Sequence, residues 1–343
     1  INGNLTIQSD TIDAFNGLAQ VNGNINLTGL NILGFNALQS AQNLTINASG
    51  NIPQFNTLTT ASDIVISSPQ AVNGFNTIQN AQNINITSSG DISGFNALEN
   101  ITDYLYVDAQ NIIGFEAVEY FSSLEIRAQS LNGFSNLKSG NVLSVSMPII
   151  PGFESLTNLV NALWLVGQDV NGFNFLTSCP NINFFGFNNI VGFNAMTSIE
   201  NLNVDFSVQS IQGFNSLQNA SSLELLAVEI KGFNALESGN LFLHNNQIIE
   251  GFNSYNQPLY LNFNGQKING FNALPSGDYT ITADTIIGFN SLTSSSNLSL
   301  SAPYISGFNA IVTANQLNIT TQNLSGFNTL TQANNINITA DDI

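Results

Sequence analysis

The residues of this chain that could perform chemistry are few and far apart. His244 is the only histidine and Cys179 the only cysteine. A zinc site needs several His or Cys ligands at short spacing, and no nucleophile elbow is present to suggest a Ser-His-Asp hydrolase. We therefore expect His244 to be a surface residue and Cys179 to be a buried structural thiol. We expect no catalytic residues and a protein that is not an enzyme.

Pairs of carboxylates are the other chemistry to consider, because two acidic side chains can cleave a glycosidic bond. The nearest such pair in sequence is Glu116 and Glu119, and Asp341 and Asp342 form a second pair. We interpret both as solvated surface pairs. No calcium-binding loop of the usual spacing is present. The prediction is therefore no cofactor, with at most weak Ca²⁺ binding by carboxylates between repeats.

Composition excludes two classes of partner. The 343 residues include 22 acidic and 4 basic side chains, which gives a formal net charge of −18. Nucleic-acid binding and attachment to anionic lipid both need clustered cations, and four scattered ones cannot supply them. No apolar run is long enough to span a membrane. Charged residues make up only 8% of the chain, so the surface must be largely Asn, Ser, Thr and Gln.

The chain is built from repeats anchored on phenylalanine, and these repeats must position the candidate residues. Seventeen copies of a motif such as residues 92–98 recur at spacings of 18 to 21 residues. Such a period predicts a solenoid in which each repeat is one coil packed on its neighbours. We predict a single solenoid domain, 1–343, of about 17 repeats, which belongs to a longer chain or assembly. The phenylalanines predicted to form a structural spine include Phe35, Phe55, Phe75, Phe95, Phe115, Phe173, Phe193 and Phe233.

The columns around phenylalanine predict strands. The residue three before each Phe is aliphatic, the residue three after it is apolar, and an alternation such as Leu124-Glu125-Ile126 follows. Apolar-polar-apolar alternation is typical of a strand with one buried face. Each coil of about 19–20 residues should thus add one main strand to a parallel sheet. At ~4.8 Å per coil, seventeen coils predict a body roughly 80 Å long.

Glycine precedes Phe in fifteen repeats and asparagine follows it in fourteen. Glycine suits a backbone bend with positive φ or a close approach of the next coil. Each Asn could hydrogen-bond to its copies in adjacent coils, or it could cap its own turn. The sequence does not separate these two roles, and both are structural. The turn column includes Asn36, Asn56, Asn76, Asn96, Asn174 and Asn194.

The outward position of the predicted strand carries aromatic residues only in the middle of the chain. These residues are Tyr106, Trp164, Phe242 and Tyr260. Exposed aromatic side chains can stack on sugars or anchor a protein. This face is therefore a candidate surface for a glycan or another cell-surface ligand, although a second copy of the chain could equally cover it.

The repeat resembles the leucine-rich repeat of bacterial surface proteins. Residues 81–98 show the pattern small-x-x-Leu-x-Ile, a short gap, then Ile-x-Gly-Phe-Asn-x-Leu, and residues 3–7 and 23–27 resemble receptor-L-type strands. This resemblance implies one main strand per coil and a surface protein. Two departures are the shorter period and the missing constant Asn after the strand. A right-handed parallel β-helix, with a second short strand near Ile-x-Gly-Phe, is the alternative.

The function expected from these features is that of an extracellular structural or adhesive repeat protein of a cell surface, a sheath or a filament. Because neither end shows a polar cap, we expect copies to associate along the solenoid axis into a homo-oligomer or polymer. One alternative is a carbohydrate-binding or carbohydrate-cleaving β-helix. Another is a receptor-like domain that recognises a protein.

Overall fold

The computed structural model describes residues 1–52, 55–244, 246–257 and 259–342, without the side chains of residues 205–207 and 260. The contacts divide the chain into two compact units, Ile1–Phe175 and Leu176–Ile343, here called unit 1 and unit 2. Each unit is a parallel β-solenoid, which confirms the predicted fold class. The described residues contain no helix, and therefore none that is long and apolar enough to cross a membrane. The single-domain assignment stays a prediction.

Unit 1 contains seventeen described strands in chain order. They are β1 (Leu5–Gln8), β2 (Thr11–Ile12), β3 (Asn24–Gly29), β4 (Asn31–Ile32), β5 (Asn43–Ala48), β6 (Asp63–Ser68), β7 (Val72–Gly74), β8 (Asn80–Ser88), β9 (Ile92–Gly94), β10 (Asn100–Asp108), β11 (Asn111–Gly114), β12 (Tyr120–Arg127), β13 (Ser130–Gly133), β14 (Ser139–Ser146), β15 (Ile149–Pro151), β16 (Asn158–Val166) and β17 (Asp169–Gly172). Long and short strands alternate along most of this unit.

Unit 2 contains thirteen described strands. They are β18 (Asn181–Phe185), β19 (Asn189–Gly192), β20 (Ser198–Gly213), β21 (Asn219–Gly232), β22 (Ser238–His244), β23 (Ile248–Gly251), β24 (Leu259–Asn264), β25 (Lys267–Gly270), β26 (Gly277–Thr282), β27 (Thr285–Gly288), β28 (Ser294–Gly307), β29 (Thr313–Gly326) and β30 (Gln332–Thr339). In β20, β21, β28 and β29 the long and short strands of one coil run together.

The long strands pair in parallel with equivalent residues in register. Leu105 of β10 lies beside Leu124 of β12, and Tyr106 lies beside Glu125. Alternate residues point inward, so Leu105 and Leu124 are buried while the polar column faces out. The predicted alternation of apolar and polar residues therefore forms a one-sided parallel sheet.

In most coils a second, short strand lies directly before the Phe motif. Ile92 and Gly94 of β9 pair in parallel with Ile112 and Gly114 of β11. Each such coil thus has one long and one short strand, which is the feature expected of the β-helix alternative. The aliphatic residue of the short strand is buried in the core, as Ile112 illustrates.

The segment Phe-Asn-x-Leu forms a tight turn, here called the Phe turn. The amide of Leu98 donates to the carbonyl of Phe95 at 3.1 Å, and the amide of Phe95 donates to the carbonyl of Gly74 at 3.0 Å. Phe95 has a φ of 57°, in the left-handed region. Glycine was expected to supply the positive φ; the structure places phenylalanine there as well. Left-handed backbone costs a non-glycine residue roughly 1–2 kcal/mol, which burial of the ring offsets.

The rings of the Phe turns stack in a column inside each unit. In unit 1 the centroids of Phe95 and Phe115 lie 5.0 Å apart and those of Phe115 and Phe134 4.8 Å apart. In unit 2 the rings of Phe193 and Phe214 are 5.0 Å apart and within 2° of parallel. The separation matches the spacing of coils in a parallel sheet, so these rings contact their copies in the adjacent coils.

Candidate functional site

The residues considered for catalysis do not converge in the structure. His244 is exposed at the end of β22. Within the described parts of the chain, no three His, Cys, Asp or Glu side chains come together as metal ligands would. Cys179 is 1% exposed, and its thiol donates to the carbonyl of Asn181 at 3.2 Å. The prediction of a buried cysteine is confirmed.

The two acidic pairs make contacts between coils or face solvent. Glu116 accepts a hydrogen bond from the hydroxyl of Ser135 in the next coil. Glu119 forms an ion pair with Lys138 at 2.7 Å. Asp341 and Asp342 are exposed. Glu116 and Glu119 thus bond to different partners, Ser135 and Lys138.

The predicted spine residues lie at the centre of their units. Phe35, Phe55, Phe75, Phe95, Phe115 and Phe173 in unit 1 and Phe193 and Phe233 in unit 2 are at most 3% exposed. Such burial leaves no ring face for a ligand. The column therefore stabilises the solenoid and does not form a binding site.

The Asn column of unit 2 is a continuous ladder of side-chain hydrogen bonds. The Nδ2 of each Asn donates to the Oδ1 of its copy in the preceding coil. The ladder comprises Asn194, Asn215, Asn234, Asn253, Asn272, Asn290, Asn309 and Asn328, with distances of 2.6 to 3.2 Å. Of the two roles that the sequence left open, the structure supports bonding from coil to coil.

The ladder of unit 1 is less regular. Asn36 Nδ2 donates to Asn16 Oδ1 at 2.6 Å and Asn76 Nδ2 to Asn56 Oδ1 at 3.4 Å, whereas Asn96 reaches Asn76 Oδ1 through its backbone amide. Asn174 occupies the same position of the Phe turn after Phe173. Three repeats of unit 1 have Glu116, Ser135 and Glu154 in this column. There the Ser135 hydroxyl donates to the Glu116 carboxylate instead.

The outward face of the long strands holds the predicted aromatic residues. Trp164 is 42% and Phe242 is 50% exposed. Tyr106 is half-buried. The side chain of Tyr260 lies outside the described residues, and its backbone pairs with Asp278 between β24 and β26. Trp164 belongs to unit 1 and Phe242 to unit 2.

Tyr106 belongs to a polar cluster that the sequence analysis did not identify. The hydroxyl of Tyr104 donates to Glu125 at 2.8 Å, that of Tyr106 donates to Asp108 at 3.1 Å, and Arg127 pairs with Glu125 at 2.7 Å. The Arg127 guanidinium also lies 5.6 Å from the centre of the Tyr106 ring. Partial burial, followed by the hydrogen bonds to the carboxylates, raises the pKa of both tyrosines. Both tyrosines therefore stay neutral, and their hydrogen bonds hold the side chains of the cluster against the sheet.

Two hollows lie next to each other on unit 2, beside the start of the long strands. One has a volume of about 680 Å³ and includes Asn240, Phe242 and Gln257; the other has a volume of about 620 Å³ and includes Asp278. Leu259 lines both hollows. Sequence reasoning identified Phe242 but not the hollows, because their walls come from several coils.

The comparisons with known proteins give no relative for this chain: it matches no protein-family model, no curated protein and no solved structure.

Proposed function

We propose that this chain is a non-enzymatic, extracellular structural or adhesive repeat protein of a cell surface, a sheath or a filament. One observation carries the proposal: the constant side chains of the repeat are used between coils. Phe95 stacks on Phe75 at 4.9 Å and on Phe115 at 5.0 Å, and the Asn ladder joins consecutive Phe turns. A repeat that joins each coil only to its neighbours suits a scaffold of extendable length.

The surface chemistry supports the same proposal. Only 8% of the residues are charged, and hydroxyl and amide side chains cover the strands instead. The strand pattern resembles leucine-rich repeats of bacterial surface proteins, which supports a location outside the cell. Antibodies against the purified chain test this location. Labelling of intact cells is expected, and labelling that appears only after permeabilisation would contradict the proposal.

Association with further copies is part of the proposal. Trp164 and Val166 lie two residues apart on the outward face of β16 and are 42% and 43% exposed. Exposed apolar side chains on a polar surface mark contact sites for proteins. Self-association can therefore occur either along the solenoid axis, as the sequence analysis predicts, or through this outward face.

Sedimentation velocity on the chain and on the double variant Trp164→Ser, Val166→Ser separates these arrangements. If copies associate along the axis, the unaltered chain and the double variant should assemble equally. If they associate through the outward face, only the unaltered chain should assemble. A double variant at Asn85 and Asn203, both exposed polar residues of long strands, is the control. Monomers at every concentration would contradict self-association.

Recognition of another protein by the outward face is the second candidate function. The pair Trp164 and Val166 favours it, because a partner of different sequence could cover the same side chains. A monomeric chain that loses a bound partner in the double variant would support this candidate over self-association.

A further inference from the structure

The two hollows of unit 2 adjoin at Leu259 and are together called the coil groove here. Their lining residues run from Ala220 to Asn334 and come from successive coils. Their combined length follows the stacking direction of the coils within unit 2. A ligand that fills the groove is therefore elongated and contacts several coils at once.

The lining of the coil groove is uncharged apart from Asp278, and it is rich in hydroxyl and amide groups. Ser238, Ser296, Asn315 and Asn334 are examples. Such groups bond to hydroxyls on a ligand without needing an opposite charge. The net charge of −18 repels anionic polymers. The chemistry thus favours a neutral ligand with many hydroxyls.

The backbone in the groove does not favour an extended peptide. Peptides that bind to sheets usually pair with a free strand edge. Here Ser276 is bridged to Ser294 of the next coil, and Ser294 pairs with Thr313 of the coil after that. Because these backbone groups bond from coil to coil, the described wall offers side chains to a ligand instead.

Phe242 supplies an aromatic surface at one end of the groove. The side chain is 50% exposed although its type favours burial. Asn240 and Gln257 line the same hollow. An exposed ring flanked by amide groups is suited to a sugar, because the ring packs on the C–H face while the amides bond to hydroxyls.

Asp278 and Ser295 are polar residues of the second hollow. Asp278 Oδ1 accepts backbone hydrogen bonds from Ser296 at 2.9 Å and Asn297 at 2.8 Å, which holds the carboxylate in place. Ser295 is 7% exposed, and its Oγ has no hydrogen-bond partner among the described residues. Its neighbour in register is Ala314, so packing alone does not require a hydroxyl there. The Oγ atom itself is buried, so the groups of this hollow that are open to a ligand are Asp278 and the other hydroxyl and amide side chains of the lining.

We propose that the coil groove binds a neutral oligosaccharide lengthwise, with one sugar ring stacked on Phe242 and hydroxyls bonded to Asp278 and the neighbouring amides. This goes beyond the structural role proposed above and does not depend on it. It gives an adhesive protein a glycan ligand.

Binding is tested with cellohexaose, laminarihexaose, mannohexaose and chitohexaose, with hexagalacturonate as the anionic comparison. Isothermal titration calorimetry on the whole chain should show binding of at least one neutral hexamer. Phe242→Ala should weaken that binding roughly tenfold, the value of one lost aromatic contact. Asp278→Asn keeps the acceptor Oδ1 for Ser296 and should weaken binding several-fold.

Tyr304→Ala is the matched control, because Tyr304 is an aromatic residue of unit 2 that is 43% exposed and lines neither hollow. It should leave binding unchanged. Circular dichroism and thermal unfolding establish that each variant is folded. The proposal is overturned if no neutral hexamer binds, if hexagalacturonate binds best, or if Tyr304→Ala reduces binding as much as Phe242→Ala. Sedimentation is a separate measurement, so failure here is distinguishable from failure of the structural proposal.

Discussion

A Cβ atom on Gly94 would lie 1.9 Å from the carbonyl oxygen of Gly74, its counterpart in the preceding coil. That oxygen also accepts the amide hydrogen bond of Phe95 at 3.0 Å. Gly94 has a φ of +145°, which side-chain-bearing residues rarely adopt. Glycine is therefore required at position 94 for two reasons at once, the close approach of the coils and the backbone conformation.

Gly94→Ala should destabilise the protein strongly. Strain at such a φ costs about 1–3 kcal/mol, and the Cβ must also displace backbone that packs the Phe turn. We expect the free energy of unfolding to fall by at least ~2 kcal/mol in urea denaturation. Gly17→Ala is the control, because a Cβ there would meet no atom within 4 Å. Equal stability of the two variants would show that the close approach is unimportant.

Much of this fold could be predicted because side-chain type reports burial. The aliphatic residue three before Phe and the alternation in the long strand specify which side chains face inward, and Ile112 and Leu124 are buried accordingly. The left-handed φ of Phe95 could not be predicted, since phenylalanine ordinarily avoids that region. Only the complete turn, with both backbone groups of Phe95 hydrogen-bonded, shows how the conformation is tolerated.

The candidate site was harder to predict than the fold. Whether Asn253 bonds to Asn234 depends on the distance between coils, which the residue types do not specify. The coil groove depends on how far the segment containing Asp278 lies from the segment containing Asn240. Exposed Phe242 was the single signal in the sequence, because an aromatic residue on a polar face points to a contact.

The Asn ladder predicts a defined cost for substitutions at Asn253. Its Nδ2 donates to Asn234 Oδ1 at 2.7 Å, and its Oδ1 accepts from Asn272 at 2.6 Å. Asn253→Ala removes both bonds and should cost about 1–3 kcal/mol. Asn253→Asp keeps the acceptor but not the donor, and at neutral pH it places a carboxylate against the Asn234 oxygen. Chemical denaturation measures both changes.

Asn203→Ala is the control for the ladder, because Asn203 is exposed on the outward face of β20. Its change in unfolding free energy should stay within about 0.5 kcal/mol. If Asn253→Asp were as stable as the unaltered chain, the direction of the ladder would be irrelevant and its contribution would come from packing alone.

Substitutions in the phenylalanine stack should lower the free energy of unfolding more than substitutions in the Asn ladder. Phe115 is fully buried between Phe95 and Phe134. Phe115→Ala leaves a cavity and removes both ring contacts, so the free energy of unfolding should fall by about 3–5 kcal/mol. Phe15→Ala should cost less, because that ring is 41% exposed and stacks on Phe35. Thermal and urea unfolding compare the variants, and similar losses at both positions would contradict a contribution from burial.

A buried tyrosine makes the free energy of unfolding depend on pH in the alkaline range. Tyr279 is fully buried, and its hydroxyl donates to the carbonyl of Ser276 at 3.2 Å. Burial, with a smaller effect from the Asp278 charge, raises the pKa of Tyr279 well above its ordinary value. The folded state therefore holds this proton more tightly than the unfolded state, and it gains stability from the neutral form.

The sign of the effect follows from proton linkage. The contribution of Tyr279 is fully present below the unfolded pKa of about 10 and is lost as the pH rises from there towards the folded pKa. Tyr279→Phe should lose roughly 1 kcal/mol at neutral pH with its hydrogen bond, but its unfolding free energy should fall less steeply above pH ~10. Tyr120→Phe, at a side chain that is 51% exposed, is the control and should follow the unaltered chain. Urea denaturation at a series of alkaline pH values measures how the unfolding free energy of each protein changes with pH. Parallel pH dependences for Tyr279→Phe and the unaltered chain would contradict the raised pKa of Tyr279, because a tyrosine that ionises equally in the folded and unfolded states cannot link folding to pH.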